Sequence, residues 1–557
     1  MIFMVTKKQV LHSDGSLELF RPRLIKERLL AETDVSEEMA EKIKTRVVEK
    51  IKKMDIDEIS TSTIRAEVSA QLTNRGLFIA EAASRKLGMS VKEFEDLMKN
   101  GCKDNANIDY TPEMIAKYAY DSIAKEYALL DMPEDCADAH IQGLLHHHDL
   151  EYFHTRPNCM NYDLRFFAKN GLKIDGTGIV GSVAGPAKTL EVLLNHLLQA
   201  WMAGATVFSG GQGYINFNTF LAPYAKGRDY KDIKQAIQGF IYNCNMSLIC
   251  RGGQMLFSSI GLDLSIPDVL KNEVAIGPGG VPNGVYGDYQ AEADLIFRAV
   301  CEVSNEKDAN GDYHRFPNIL FNIRRGDLDE FTGTCKILHE TGANNPTIYY
   351  VNCTELERTV MGCRTALPMN YAINYEKDCT NTGNFMYSTI NLPLIALMVD
   401  GNIQDFYGML GHVCDIIYKT LHYRRECVID TIYNKHMSNF LLQEDKETGK
   451  PLYDIDTTTM TIGFCGLNEC LDILGYKGTL EDMTEGTKEG EKIIAFLNKK
   501  KDYFHDKDGL RWSVIASPSE SAAHRFAKII KEKYPDAPVQ GEKGNWYLTN
   551  SSHIPVS

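Results

Sequence analysis

Residues 254–264 read QMLFSSIGLDL, a short apolar run bounded by turn residues, and this kind of run decides how the large part of the chain is interpreted. Further runs of the same kind occur at 319–323, 348–351, 387–395 and 513–516. Short apolar runs between turn residues are typical of strands. Helical patterns lie between several of them, such as the leucine-rich face over 190–201. This alternation favours a large α/β domain over a β-sandwich.

The first hundred residues differ from the rest: they are rich in lysine and glutamate and poor in aromatic residues. Residues 5–20 predict a strand, a turn and a second strand. Helices are predicted after them, and Ser36 is a good N-cap for one of these. We therefore expect a small, mainly helical domain over 1–98 and a large catalytic α/β domain over 105–557, with a polar linker between them.

The composition excludes several classes of protein. The chain has 557 residues, 44% hydrophobic and 24% charged, with a net charge of −15, which is typical of a folded globular protein. No apolar run approaches the roughly 20 residues of a membrane span, and the N-terminus lacks a signal-peptide pattern. We expect a cytoplasmic protein with neither a membrane nor a nucleic acid as partner. The 14 cysteines include no Cys-x-x-Cys pair, so no metal site is predicted.

The first candidate site is the run His146-His147-His148-Asp149, followed by Arg156-Pro157-Asn158-Cys159. Adjacent side chains of a strand point to opposite faces, so three consecutive histidines cannot converge on one metal ion. The pattern favours a buried polar network around a pocket, with a solvated tract as the alternative. The glycine runs at 209–213 and 251–254 lack the lysine of a phosphate loop and the acid of a dinucleotide fold. They favour tight turns and close approach of the backbone.

Two further stretches offer reactive groups. Cys363 stands between Gly362 and Arg364, a flexible neighbour and a cation, which fits a reactive thiol; a buried, inert cysteine is the alternative. Residues 513–523 read SVIASPSESAA, which predicts a strand, a turn and a helix whose first turn is rich in hydroxyl groups. The N–H groups of such a helix start favour an anion. A simple cap by Ser519 is the alternative.

Taken together, these stretches resemble the large subunit of the anaerobic, class III, glycyl-radical ribonucleotide reductases. The phrases that carry the resemblance are HHHDLEYF (146–153), RPNC (156–159), GGQGYINFNTFLAPY (210–224), RGGQMLFSSI (251–260), MGCRTAL (361–367), NFMYSTINLP (384–393), ASPSESAAHRF (516–526) and YLTNSSHIPV (547–556). The resemblance implies a ten-stranded α/β barrel with a central finger loop. The first hundred residues resemble an ATP-cone, the regulatory nucleotide module of such reductases.

The resemblance also implies the chemistry. Cys363 matches the finger-tip cysteine that becomes a thiyl radical; its S–H bond is close in strength to the ribose C3′–H bond, so hydrogen transfer between them is reversible. Cys159 matches the second active-site cysteine, and Asn384 matches the asparagine of formate-using members. The implied substrate-binding residues are Ser517, Ser519, Glu520, Ser521, His148 and Asn158. The expected reaction reduces ribonucleotides, as triphosphates, to 2′-deoxyribonucleotides for anaerobic DNA precursor synthesis.

Cofactors and partners follow from the resemblance. The family stores its glycyl radical in a C-terminal tail that also carries four zinc-binding cysteines, and this sequence ends at Ser557 without that glycine or that zinc site. We therefore expect either a fragment, a split gene or a separate glycyl-radical polypeptide. A homodimer, a radical-SAM iron–sulfur activase and formate as reductant are also expected. ATP and dATP are expected as allosteric effectors at Asp14, Gly15, Arg23 and Lys26, although His12 and Ser13 stand where ATP-cones usually carry basic residues.

Several alternatives stay open. A carbon-chain glycyl-radical enzyme of the pyruvate formate-lyase type uses two adjacent cysteines, but Cys363 has no cysteine neighbour. A B12-dependent reductase normally has an Asn-x-Cys-x-Glu finger, which is not visible. A catalytically incomplete relative would keep only nucleotide binding. A thioredoxin- or glutaredoxin-like reductant is favoured over formate if Met386 crowds the site and Cys379 supplies a second thiol; otherwise Met386 packs in the core and Cys379 is inert.

Overall fold

The computed structural model describes residues 8–11, 17–84, 88–89, 91–101, 111–249, 253–345, 348–355, 357–361, 365–367, 375, 379–476, 485–518, 520–542 and 544–551. The chain divides into two compact units, Met1–Gly88 and Met89–Ser557. Helix Val91–Asn100 belongs to the second unit.

The N-terminal unit combines a small sheet with helices. Strand β1 (Gln9–Leu11) pairs antiparallel with β2 (Leu17–Leu19) and parallel with β3 (Glu58–Ser60). The helices are Arg23–Glu32, Glu37–Lys53, Thr61–Thr73 and Phe78–Ser84. The predicted cap is confirmed, because the Ser36 side chain accepts a hydrogen bond from the Met39 backbone N–H. Four apolar residues on one face of that helix are fully buried in the core of this unit: Ala40, Ile43, Val47 and Ile51.

The larger unit alternates helices and strands. After Val91–Asn100 its helices are Pro112–Asp131, Glu134–Gln142, Leu164–Asn170, Leu190–Gly204, Phe217–Ala225, Tyr230–Met246, Gln290–Ser304, Gly333–Asn344, Leu392–Met398, Ile403–Ile429, Leu467–Ile473, Glu485–Asp508 and Glu520–Lys533. Its strands are β4 (Leu145–His147), β5 (Cys159–Tyr162), β6 (Leu172–Lys173), β7 (Val183–Ala184), β8 (Gln212–Tyr214), β9 (Leu248–Ile249), β10 (Gln254–Met255), β11 (Ser258–Asp263), β12 (Val274–Ile276), β13 (Pro282–Val285), β14 (Asn318–Ile323), β15 (Ile348–Asn352), β16 (Thr359–Val360), β17 (Ala366–Leu367), β18 (Thr382–Asn391), β19 (Thr459–Cys465) and β20 (Arg511–Ala516).

Nine of these strands form one curled sheet. Its order is β15-β14-β11-β8-β5-β18-β19-β20, and β4 pairs with β18 beside β5. Strands β5, β8, β11, β14 and β15 are parallel to one another and make the five-stranded half. Strands β18, β19 and β20 are parallel to one another and make the three-stranded half. The halves meet at the antiparallel pair β5–β18. The α/β class is confirmed, whereas a tenth strand stays a prediction.

Most of the apolar runs noted in the sequence are strands, with one change and one omission. The run 387–395 is not continuous strand: β18 ends at Asn391 and a helix follows with Pro393 in its first turn, where proline is well tolerated. The sequence reasoning missed β19, TMTIGFC, because its threonines interrupt the apolar pattern although every residue is buried. No helix within the described ranges combines the length and the apolar character that a membrane crossing needs.

Candidate active site

A cavity of about 870 Å³ is lined by residues of β5, β8, β11, β14 and β18. Residues predicted as site residues also line it: His148, Asn158, Cys159, Glu520 and Ser521. The fold thus brings the histidine–asparagine–cysteine stretch together with the serine-rich stretch, which lie far apart in the sequence. The predicted buried polar network around a pocket is confirmed.

Cys159 is the first residue of β5 and is only 3% exposed at the cavity wall. Two glycines lie against it. A Cβ atom on Gly210 would lie 2.5 Å from Cys159 Sγ, and a Cβ atom on Gly383 would collide with the Cys159 carbonyl oxygen. The glycine run at 209–213 therefore allows close approach of the backbone to the thiol, as its pattern predicted.

A chain of hydrogen bonds orients the Cys159 thiol. Cys159 Sγ donates to Asn158 Oδ1 at 2.8 Å. Asn158 Nδ2 donates to the Asp149 carboxylate at 3.0 Å, and the Ser209 hydroxyl donates to the same carboxylate at 2.6 Å. Asp149 has a left-handed backbone (φ +52°), and its carbonyl accepts from the buried Arg424 at 3.2 Å. A strained backbone persists only where its surroundings hold it, so Asp149 is a fixed support for the asparagine that contacts the thiol.

Asn384 lies directly opposite Cys159 in the antiparallel pair of β5 and β18. Residues in such a position project from the same face of the sheet. The Asn384 side chain is fully buried and does not form part of the cavity wall. Its Oδ1 accepts from the Thr461 hydroxyl at 3.2 Å, and its Nδ2 has no hydrogen-bond partner among the described residues. An unpaired buried donor is costly, so this amide is free to donate to a further acceptor.

A short hairpin contacts Cys159. Strands β16 and β17 pair antiparallel, and the Met361 N–H donates to the Thr365 carbonyl at 2.9 Å. Met361 and Leu367, one from each side of the hairpin, pack with Cys159 in a small apolar cluster. Cys363 itself lies outside the described residues. Met361, before it in the sequence, lines the cavity, and Leu367, after it, packs on Cys159.

A buried ionic network connects the chain on both sides of this hairpin to the sheet. Arg324 follows β14 and donates to Asp263 at 2.9 Å and to both carboxylate oxygens of Glu357, at 2.6 and 2.9 Å. Asp263 also accepts from Asn216 Nδ2 at 2.9 Å. The Oδ1 of Asn216 in turn accepts from the Tyr375 hydroxyl at 2.5 Å. Burial alone would lower the pKa of Arg324, but the two carboxylates raise it above its ordinary value. The guanidinium is therefore held charged.

A second, uncharged network surrounds His148. Its ring stacks on Tyr387 with the centroids 4.0 Å apart, and its Nε2 lies 2.7 Å from the Thr389 hydroxyl. That hydroxyl lies 2.6 Å from the Ser517 hydroxyl. Burial lowers the pKa of His147 and of His148 to about 3. Both imidazoles are therefore neutral at neutral pH and act as hydrogen-bonding groups without charge.

The serine-rich stretch lies in two environments. Helix Glu520–Lys533 begins at the cavity, with Glu520 and Ser521 in its wall. Ser517 is fully buried and hydrogen-bonded to Thr389, so its hydroxyl is used inside the protein. Ser519 lies outside the described residues. Three cationic side chains share the cavity wall with these residues: Lys125, Arg315 and Arg525. The same wall contains three carboxylates, those of Asp149, Glu151 and Glu520, and Lys125 pairs with Glu151 at 3.5 Å.

The two residues that bear on the reductant are both buried. Met386 packs in the main apolar core and does not line the cavity, so it does not crowd a small-molecule site there. Cys379 is buried as well, and its carbonyl oxygen accepts from the Thr359 hydroxyl at 3.0 Å. Cys379 is not among the residues that line the cavity.

The predicted effector residues belong to the N-terminal unit. A small cavity there, of about 90 Å³, is lined by the basic residues Arg21, Arg28 and Arg65. Arg23 and Lys26 do not line it, and Lys26 pairs with a glutamate of the next helix at 2.7 Å, a hydrogen bond that raises the pKa of the lysine. Asp14 and Gly15 lie outside the described residues. Nucleotide binding by these four residues stays a prediction.

Sequence reasoning missed several residues of the site. Asp149 was part of the first candidate site but had no predicted role in orienting Cys159, Tyr387 stood only in a quoted phrase, and Thr389 gave no signal of its own. The signal that could have identified this role of Asp149 is its position directly after three histidines in a predicted buried network. A carboxylate buried beside neutral imidazoles needs a hydrogen-bond donor as partner.

Comparison with known proteins supports one fold and one family. The solved anaerobic ribonucleotide reductase from Thermotoga maritima in complex with dATP and CTP is 20% identical, with a TM-score of 0.61 over 76% of this chain and 72% of that chain. The citrate-containing structure of the same enzyme has a TM-score of 0.61 over 93% of this chain and 87% of that chain, at 17% identity. The fold is thus that of the class III ribonucleotide reductases.

The family is shown by sequence. The profile of the family described as anaerobic ribonucleoside-triphosphate reductase matches residues 104–557. The Salmonella typhimurium enzyme of that name is 24% identical over 512 residues, which are 83% of this chain and 66% of that protein. The enzyme from Enterobacteria phage T4 is 24% identical over 515 residues, 84% of this chain and 78% of that protein. The chain belongs to the anaerobic ribonucleoside-triphosphate reductase family, and it spans about two thirds of the length of its bacterial relatives.

Proposed function

We propose that this chain is the catalytic part of an anaerobic ribonucleoside-triphosphate reductase, which replaces the 2′-hydroxyl group of the ribose by hydrogen. The observation that carries the proposal is the packing of the Met361–Leu367 hairpin on Cys159 at the wall of the large cavity. We infer that Cys363, which stands between Met361 and Leu367 in the sequence, faces Cys159 across the cavity, with one thiol on each face of a bound ribose. Membership of the family disfavours a carbon-chain glycyl-radical enzyme and a purely regulatory relative.

Cys363 is the proposed hydrogen-abstracting residue. A glycyl radical, which the family carries in its C-terminal tail, would take the hydrogen atom of this thiol. The Cys363 thiyl then takes the C3′ hydrogen atom, the 2′-hydroxyl group leaves as water with the proton of the 3′-hydroxyl, and C3′ regains its hydrogen from the same thiol at the end. An S–H bond suits this exchange because it is close in strength to the C–H bond.

Cys159 and Asn384 are the proposed residues for the reducing equivalents. With formate, one formic acid reduces one ribonucleotide, giving one deoxyribonucleotide, one carbon dioxide and one water. Cys159 donates a hydrogen atom on the ribose face opposite Cys363, and the resulting Cys159 thiyl takes the hydrogen atom of formate. The remaining electron of formate, with a proton, reduces C3′ as carbon dioxide leaves. The unpaired Asn384 Nδ2 donates to the formate carboxylate. Asp149 and Asn158 act as positioning residues, because they fix the direction of the Cys159 S–H bond.

Substrate and partners are inferred from the same site and family. His148, Asn158, Glu520 and Ser521 line the cavity together with Arg315 and Arg525, and we infer that these two arginines bind the phosphates of a ribonucleoside triphosphate. Ser517 and Ser519 are proposed to shape the helix start. The Thermotoga maritima enzyme holds dATP in its specificity site, and we infer ATP and dATP as effectors here. A homodimer, a radical-SAM activase, a glycyl-radical polypeptide and a cytoplasmic location complete the proposal.

The direct test is reductase activity under anaerobic conditions with a family glycyl-radical polypeptide, its activase, a ribonucleoside triphosphate and formate. We expect deoxyribonucleotide from the wild-type chain and none from Cys363→Ser, because an O–H bond is too strong to be re-formed and broken in the cycle. The matched control is Cys414→Ser, which replaces a buried cysteine of helix Ile403–Ile429 and should keep activity. Wild-type turnover by Cys363→Ser would falsify the mechanism.

The reductant is tested separately with isotopically labelled formate. Labelled carbon dioxide should appear in proportion to deoxyribonucleotide, and Asn384→Ala should lower its yield while binding of the triphosphate is unchanged. Turnover that needs a thioredoxin- or glutaredoxin-like protein, with no labelled carbon dioxide, would replace formate by a thiol route.

A further inference from the structure

We propose that Asp131, His154 and Cys427 form a zinc-binding site on the larger unit, apart from the reductase cavity. The three side chains each offer one ligand atom, and these atoms all lie within 4.8 Å of one another. None of the three lines the large cavity, and no step of the proposed reaction uses them. The site is therefore independent of the proposed function.

The donor set selects the metal. A thiolate, an imidazole nitrogen and a carboxylate oxygen are the ligands that Zn²⁺ takes in proteins, in tetrahedral geometry with a fourth position for water. A thiolate disfavours Mg²⁺ and Ca²⁺, which prefer oxygen ligands. The two negative charges of the Asp131 carboxylate and the Cys427 thiolate balance those of a divalent cation.

The backbone around the cluster favours a cation. Asp131 is the last residue of helix Pro112–Asp131, and Cys427 lies in the last turn of helix Ile403–Ile429. Carbonyl groups at a helix C-terminus carry partial negative charge, and the helix of Asp131 ends at this site. The helix of Cys427 continues through Asp430–Asn434, and the Cys427 carbonyl accepts from the Asp430 N–H. His154 lies just after the 3₁₀ turn Leu150–Tyr152. Each ligand is thus held by a different rigid segment.

Neighbouring side chains already orient the ligands. His154 Nε2 lies 2.8 Å from Asp131 Oδ2, and the Tyr423 hydroxyl donates to the same oxygen at 2.7 Å. The Tyr127 ring lies 4.8 Å from the His154 ring. Such outer contacts fix ligand rotamers in metal sites.

Asp131 is exposed while His154 and Cys427 are half-buried, so an ion can enter from solvent. The nearby Lys435 is paired with Asp430 at 2.6 Å, which offsets its charge.

The test uses Co²⁺ as a spectroscopic probe, added to the reduced, metal-free 557-residue chain. We expect one equivalent to bind, with a thiolate-to-cobalt charge-transfer band and the visible bands of tetrahedral cobalt, and Zn²⁺ to displace it. Cys427→Ser should remove the charge-transfer band. Asp131→Asn and His154→Gln should weaken binding by roughly tenfold or more. Cys414→Ser, on the same helix but distant from these donors in sequence, should bind as the wild type does.

A second measurement does not depend on variants. In the wild-type chain, Zn²⁺ should slow alkylation of Cys427, read by mass spectrometry of its peptide, and leave the alkylation of other accessible thiols unchanged. A charge-transfer band that persists in Cys427→Ser overturns the assignment, as does alkylation of Cys427 that Zn²⁺ does not slow.

Discussion

The two halves of the large sheet satisfy their buried polar groups in different ways. In the five-stranded half, Asp263 on β11 is bonded to the charged Arg324, which in turn holds Glu357. In the three-stranded half two buried bonds join hydroxyl groups, Thr389 with Ser517 at 2.6 Å and Thr461 with Ser513 at 2.6 Å. The one arginine of its strands, Arg511, donates to the Thr382 hydroxyl at 3.4 Å. One half thus contains a buried ionic network, and the other a ladder of hydroxyl groups.

This difference follows the work that each half does in the proposed reaction. A buried ionic network has well-defined geometry and is costly to break, so it suits the fixing of the described residues Glu357 and Tyr375 on either side of β16 and β17. Hydrogen-atom transfer between a thiol and ribose moves no net charge, which fits the uncharged hydroxyl partner of Asn384. Cys159 lies where the two halves meet, and the Asp149 carboxylate and the buried Arg424 act on its thiol only through the neutral Asn158.

The largest expected effect comes from breaking the ionic network. Arg324→Met removes the cation and leaves Asp263 and Glu357 without their counter-ion, so the free energy of unfolding should fall by about 3–5 kcal/mol. Denaturant unfolding of the purified chain measures it. Arg325→Met, an exposed neighbour, is the control and should change stability by less than about 0.5 kcal/mol. Equal stability of the two variants would show that the network does not hold the fold.

A pH titration tests the neutral half. The folded pKa of His148 and of His147 is about 3, below the ordinary 6.5 of the unfolded chain. Between these values the unfolded state binds more protons than the folded state. The contribution of the two neutral histidines to the free energy of unfolding is therefore fully present above pH 6.5 and is lost as the pH decreases towards 3. Each histidine should cost about 1.4 kcal/mol per pH unit within this window. In His148→Gln the slope of unfolding free energy against pH should be smaller; an unchanged slope would mean that this imidazole is not held neutral.

The smallest effect separates two serines of one stretch. Ser517→Ala breaks the bond with Thr389 and should lower the free energy of unfolding by about 1 kcal/mol. Ser521→Ala changes an exposed residue of the cavity wall, so stability should stay within about 0.5 kcal/mol while the KM for the ribonucleotide rises. If Ser521→Ala lowers the melting temperature and leaves KM unchanged, its hydroxyl serves the helix and not the substrate.

The sequence predicted local features well and long-range ones poorly. The Ser36 cap, the strands around Ile260 and Phe321 and the close approach of Gly210 were predictable, because each depends on neighbours in the chain. The pairing of β5 with β18, which sets Cys159 opposite Asn384, depends on contacts more than 200 residues apart and has no local signal. The family resemblance identified Cys159 and Asn384 as candidate site residues. Only the structure shows that Asp149 supports the asparagine that contacts the thiol.

The central claim is that Cys159 and Cys363 share one pocket, and a thiol-bridging reagent tests it directly. Dibromobimane becomes fluorescent when it links two nearby thiols, and peptide mass spectrometry identifies the linked pair. We predict a bridge between Cys159 and Cys363 in the wild-type chain, its loss in Cys159→Ala, and its retention in Cys414→Ser. Separate alkylation of Cys159 and Cys363, with no bridged peptide, would contradict the claim.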